Sequence, residues 1–227
     1  MVDAFVISSR KLIVALALSW LVLWLGSVLQ DLAIFSSGTE EKIWLLDVDS
    51  EESLYTWLST ILLCVAALLA FVLSSSGRDA LQWRAIGLLF VVMSVDEMLS
   101  LHEKLSEALS GSLETTGPFF FAWVIPALAI VLVLAIVFLP FVFRLPRRIA
   151  LMVIAAGVLF VSGALGLEMA AGVFLSGEDD LTAALATSRY RMMTNLEEGL
   201  EGLGVVVFIA ALLIRCAQVF PSTFAFR

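Results

Sequence analysis

Apolar residues run through this chain in long blocks rather than in alternation, and six of the blocks are long enough to cross a bilayer as helices. A hydrocarbon core about 30 Å thick needs roughly 20 such residues. The spans are expected at residues 12–32, 54–73, 83–109, 119–143, 149–175 and 192–220. No period-two pattern competes with them, and an open sheet edge in lipid would leave backbone groups unpaired. The expected fold is all-α: a single membrane domain over residues 1–227, built as a bundle of six transmembrane helices.

The polar residues between the blocks give an orientation. Arg10 and Lys11 precede the first span, Arg78 and Arg84 separate the second from the third, and Arg144, Arg147 and Arg148 separate the fourth from the fifth. Arg215 and Arg227 close the sixth. With alternating spans all of these fall on one side, which the positive-inside rule makes cytoplasmic, so both termini are expected there. The opposite loops are acidic, with Glu40, Glu41, Asp47, Asp49, Glu51 and Glu52 in one and Glu178, Asp179 and Asp180 in another. The first span has the basic start of a signal peptide. Its length and the lack of a clean small-x-small cleavage site favour a retained helix.

Composition agrees: 61% of residues are hydrophobic, 15% are charged, and mean hydropathy is +1.05. A soluble domain carries about a quarter charged residues, so neither a water-soluble fold nor disorder fits. A net charge of -8 without a long basic stretch argues against nucleic acid. The expected surroundings are the lipid bilayer of an inner or plasma membrane, with a membrane-protein partner or a second copy as possible company. Cys64 lies inside an apolar run and Cys216 near the C-terminus, which supports no disulfide framework. One histidine is too few for a three-histidine zinc site.

Proline and tryptophan add local detail. Pro126 and Pro140 fall inside the fourth span, where neighbouring helices tolerate kinks. Trp57, Trp83 and Trp123 lie near expected interfaces, whereas Trp20 and Trp24 sit deeper and read as packing residues.

The candidate chemistry lies in charges at membrane depth. Asp96 and Glu97 follow Arg84 by about 12 residues, roughly 18 Å of helix, and an ionised carboxylate there costs a few kcal/mol unless paired, hydrated or neutralised. On one continuous helix Asp96, Ser100, Glu103 and Glu107 share a stripe, with Glu97 and Lys104 at one edge and His102 round the other. Glu168 is the single acid of the fifth span, set among Ala164, Gly166, Ala171 and Gly172, whose small size lets a neighbouring helix come close. Thr194, Glu197, Glu198 and Glu201 share an arc at the start of the sixth span, and Gly199, Gly202 and Gly204 read as packing residues. Three acidic groups thus converge at one level in the extracytoplasmic half. The nearby cations Lys104, Arg189 and Arg191 are too few to balance them.

Carboxylates so close cannot all ionise in a low dielectric; either protons are shared or a cation compensates. Oxygen ligands with one imidazole suit Mg, Ca, Mn, Fe(II) or Zn. In a metal-dependent membrane enzyme Asp96, Glu103, Glu168 and Glu201 would be the ligands, with Glu197 or His102 as proton carrier. The same acids would serve a proton or cation transporter, or pair with basic residues of a partner in a larger complex. The plainer alternative ends the third span near Val95 and begins an amphipathic helix at the headgroups, and makes Glu197, Glu198 and Glu201 dipole-compensating acids at a helix start. No GxSxG elbow, phosphate loop or dinucleotide fingerprint occurs.

Overall fold

The computed structural model describes residues 7–38 and 42–225. Glu40, Glu41 and Arg227, used above for the loop charges, lie outside them. The chain is almost entirely helical. Helix α1 covers Ser9–Ser37, α2 Leu54–Ser74, α3 Ala80–Leu99, α4 Leu101–Ser110, α5 Val124–Val142, α6 Arg147–Val161, α7 Glu168–Leu175, α8 Leu181–Leu185 and α9 Ser188–Val219. Among the described residues five helical stretches are long and apolar enough to cross a membrane, α6 and α7 counting as one, and α3 with α4 makes a sixth if that bent pair is a single span.

Local chemistry sets the helix ends. Ser53 caps α2 by accepting the Thr56 amide at 3.1 Å, and Thr187 caps α9 by accepting that of Tyr190. Gly38 ends α1 in the left-handed conformation, its amide returning to the Ile34 carbonyl. Pro126 falls in the first turn of α5 and Pro140 close to its last residue, so neither interrupts the middle of that helix.

Two of the expected spans are not uniform α-helix. The third breaks at Ser100, whose φ of 46° is left-handed, and α4 leaves α3 at 71°. The stripe of Asp96, Ser100, Glu103 and Glu107 expected on one continuous helix is therefore cut in two. A short amphipathic helix follows the span, a few residues later than the plainer alternative places it. In the fifth span a π-helical segment, Ser162–Leu167, joins α6 to α7. Its wider turn changes the phase of Glu168 relative to α6; such turns often occur at functional sites.

Helix α9 is the axis of the bundle. In its apolar window 61% of residues are buried, against 11% in α1 and α5, and it packs against α1, α2, α6 and the π-helical segment. Its glycines admit the neighbours. A Cβ at Gly204 would stand 2.8 Å from the Ala156 carbonyl oxygen, and one at Gly202 would overlap the Trp20 indole. Trp20 stacks on Trp24 at 5.9 Å, while Phe90 stacks on Phe208 at 4.7 Å and ties α3 to α9. Trp83, expected at an interface, is buried edge-on against Phe141. Outward faces keep large apolar residues exposed, among them Val22, Leu88, Leu132 and Ile136; lipid accounts for such a surface and water does not.

Strands Ile7–Ser8 and Phe224–Ala225 pair in parallel, and Phe224 lines a concavity with Arg148. The two ends of the described chain therefore share one end of the bundle with the α5–α6 turn.

Asp31, fully buried on α1, accepts hydrogen bonds from Asn195 Nδ2 at 2.7 Å and Arg191 Nη1 at 3.3 Å on α9. Trp24 Nε1 donates to the Asn195 carbonyl at 2.7 Å alongside. This polar clamp holds α1, a helix with little burial of its own, against α9.

Two stability measurements in detergent check this packing. Gly204→Ala forces a methyl into the α6 backbone and should cost about 1–3 kcal/mol, whereas Gly157→Ala, which meets nothing within 4 Å, should be neutral or stabilise by up to about 1 kcal/mol. Asp31→Ala strands Arg191 and Asn195 and should cost about 3 kcal/mol; a loss well below 1 kcal/mol would remove the clamp from the account.

Candidate functional site

The acids at the other end of the bundle form a series of linked pairs. At the α3–α4 corner the Asp96 carboxylate accepts the His102 amide at 2.9 Å through Oδ1, while Oδ2 lies 3.0 Å from His102 Nδ1. Asp96 thus fixes both the first turn of α4 and the orientation of the imidazole. Lys104 Nζ donates to the Leu99 carbonyl, closing the corner.

Glu51, from the loop before α2, meets this corner from outside. The closeness of Ser100, and then of Glu103, lowers its carboxyl below the usual carboxylate range. Glu107 stays exposed on α4, away from the linked groups.

The second series is deeper. Trp123, just before α5, donates its indole N–H to Glu168 Oε1 at 2.9 Å, and its ring lies 5.0 Å from that of His102. The Glu168 carboxyl lies against that of Glu197 on α9, close enough for the two to interact directly. Gly163, in the π-helical segment, makes this pairing possible: a Cβ there would stand 2.7 Å from the Glu197 carbonyl oxygen and 2.9 Å from Glu201 Cγ.

A third set lines the α2 side. Glu97 lies beside Ser59 and within electrostatic range of Glu198 and Glu201. Tyr55, buried on α2, donates its hydroxyl to the Glu198 carbonyl at 2.5 Å.

The structure therefore brings Glu168 together with Glu197, and Asp96 with His102, and sets Glu201 beside them at Gly163. It does not bring Asp96, Glu103, Glu168 and Glu201 around one point. The bend at Ser100 carries Glu103 away from the stripe it would share with Asp96, and Asp96, Glu103 and Glu168 each have another partner. Among the described residues no three His, Cys, Asp or Glu side chains are grouped so as to hold a metal ion. The few cations near the acids are engaged elsewhere: Arg191 on Asp31, Arg189 over the Phe174 ring at 4.6 Å, and Lys104 on a carbonyl.

Sequence reasoning passed over Glu51 as a loop acid and Trp123 as an interface anchor. Both join the site through contacts far apart in sequence, and no local pattern marks such pairings. Tyr55 and Ser59 carry no signal beyond being polar near the start of an apolar helix.

Comparison with curated proteins finds no match, and comparison with solved structures finds none. A family model does match: residues 12–216 correspond to a domain of unknown function, DUF8692, and the chain belongs to that family.

Proposed function

We propose that this chain is a multi-pass membrane protein of the transporter class, in which the paired acids take up protons from one face and exchange them for a cation. The observation that carries the reading is the close approach of α9 at Gly163, which sets the Glu168 and Glu197 carboxyls against one another across two packed helices. A carboxyl–carboxyl bond holds a proton between its partners. Removing that proton leaves two adjacent anions in a low dielectric, which a cation must relieve.

The surrounding groups suit the task. Trp123 orients Glu168 by its N–H and has no proton to exchange at neutral pH. His102, held by Asp96, is the one group near the site whose ordinary titration falls close to physiological pH; it and Glu197 are the proton carriers of this reading. The Glu51–Glu103 pair forms the outer mouth. Beyond Glu201 helix α9 continues as LGVVVFIAALLI, with no acid to extend a fixed proton path to the arginine-bearing end. In this reading exchange across the bundle therefore requires a change in helix packing.

A second reading, a divalent-metal site of a membrane enzyme, draws on the Asp96–His102 pair, because metal-bound imidazoles are commonly held by a carboxylate behind them. Asp96 would then orient the ring, and Glu168, Glu197 and Glu201 would have to regroup around it to act as ligands, since no three such side chains are so grouped among the described residues.

Proteoliposomes loaded with a pH-sensitive dye distinguish the two. An imposed sodium, potassium, calcium or manganese gradient should drive proton movement, and Glu168→Gln should slow it about a hundredfold. Flux unchanged in Glu168→Gln would contradict the carrier reading. Near-stoichiometric metal that survives dialysis against chelator, without proton flux, would favour the enzyme.

A further inference from the structure

The arginine-bearing end of the bundle holds a cavity of about 350 Å³ lined by Arg78, Asp79, Arg144, Leu145, Pro146 and Arg215. Three separate parts of the chain contribute: the α2–α3 turn, the α5–α6 turn and the last turns of α9. Three guanidinium groups thus line one concavity, with a single acid among them. Asp79 faces Arg144 at 3.6 Å, and among the described residues no acid is paired with Arg78 or Arg215.

Arg215 gives the sharper signal. Its Nη1 donates to Gln218 Oε1 at 3.1 Å, but its Nε is buried and has no hydrogen-bond partner among the described residues. A buried guanidinium N–H without an acceptor is costly, and an anion in the cavity would satisfy it. The backbone adds to the same field. Asp79 and Pro146 stand at the N-caps of α3 and α6, and neither side chain caps its helix, so the positive ends of two long helices lie at the cavity wall.

We propose that this cavity binds a phosphate group. Guanidinium forks match phosphate oxygens in geometry and charge, and several arginines around one pocket exceed what a single carboxylate needs. The phosphate has two conceivable sources, the headgroup of an anionic phospholipid or a free phosphate ion. The neighbourhood favours the lipid. Gln218, the partner of Arg215, also lines a second concavity of about 490 Å³ with Ile214, Ala217, Pro221, Phe224 and Arg148. A charged pocket beside a largely apolar one fits a molecule with a phosphate at one end and a glycerol-linked chain at the other. Basic pockets between helices at a membrane boundary recognise such headgroups.

The test uses the full chain purified in a neutral detergent. Short-chain phosphatidylglycerol, the matching phosphatidylcholine and inorganic phosphate are titrated separately, and affinity is read by microscale thermophoresis. Phosphatidylglycerol should bind in preference to phosphatidylcholine. Arg78→Gln and Arg215→Gln should each weaken that binding about fivefold, whereas Arg189→Gln, at the far end of α9, should leave it unchanged. Arg78 is exposed on a turn, so its variant keeps the fold even if Arg215→Gln does not. Inorganic phosphate that binds with the same dependence on Arg78 and displaces the lipid would assign the site to free phosphate. Equal affinity for the two lipids, or phosphatidylglycerol binding indifferent to Arg78→Gln, would overturn the proposal.

Discussion

In hydrocarbon a carboxyl group has no water to turn to, so each acid along these helices must find a partner within the protein. That constraint organises one end of the bundle. The α6–α7 unit and α9 bring Glu168 and Glu197 together only because Gly163 presents no side chain where α9 passes. The same close approach sets the Glu201 side chain against Gly163. The π-helical segment before Glu168 belongs to the same solution, since it changes the phase of the acid after an uninterrupted apolar helix has crossed most of the membrane. Packing and chemistry are inseparable here: a methyl group at Gly163 would part the helices and the carboxyls together.

Helix α9 carries both ends of the molecule. Its first half is acidic and small, shaped by Glu197, Glu198, Glu201 and the glycines between them. Its second half is apolar and buried until Arg215. The clamp on Asp31 and the Tyr55 bond to the Glu198 carbonyl fix the acidic half against α1 and α2, while α6 packs along the apolar half. A change in how α9 sits against its neighbours would therefore be felt at the carboxyl pairs and at the arginine cavity alike.

Much of this architecture was legible in the sequence. Long apolar blocks mark helices whatever their tertiary partners, and the residues that interrupt them, Asp96, Glu97, Glu168 and Glu197, stand out because burying them unpaired is expensive. The small residues named around Glu168 did not mark the contact with α9: Gly166 is exposed, Gly172 meets the turn at Gly117 and Phe120, and the close approach falls at Gly163. The bend at Ser100 was not legible, because nothing local distinguishes a serine that adopts a left-handed conformation from one that continues a helix. That one residue decides whether Glu103 faces Asp96 or Glu51. Partners such as Trp123 and Glu51 were hidden for another reason: they arrive from loops, and their pairing is a property of the assembled bundle. The acids that need partners were thus readable and their grouping was not, which is how four carboxylates expected at a common centre come to lie apart: Asp96 with His102, Glu103 by Glu51, Glu168 by Glu197 and Glu201 at Gly163.

The central claim is that Glu168 and Glu197 hold a proton between them. Infrared spectroscopy of the protein in lipid at neutral pH measures this directly, through the carbonyl stretch of a protonated carboxylic acid. The account predicts such a band, shifted by deuterium exchange, altered by Glu168→Gln and Glu197→Gln alike, and unaffected by chelator. A spectrum containing only ionised carboxylates, or a protonated band indifferent to both substitutions, would contradict it.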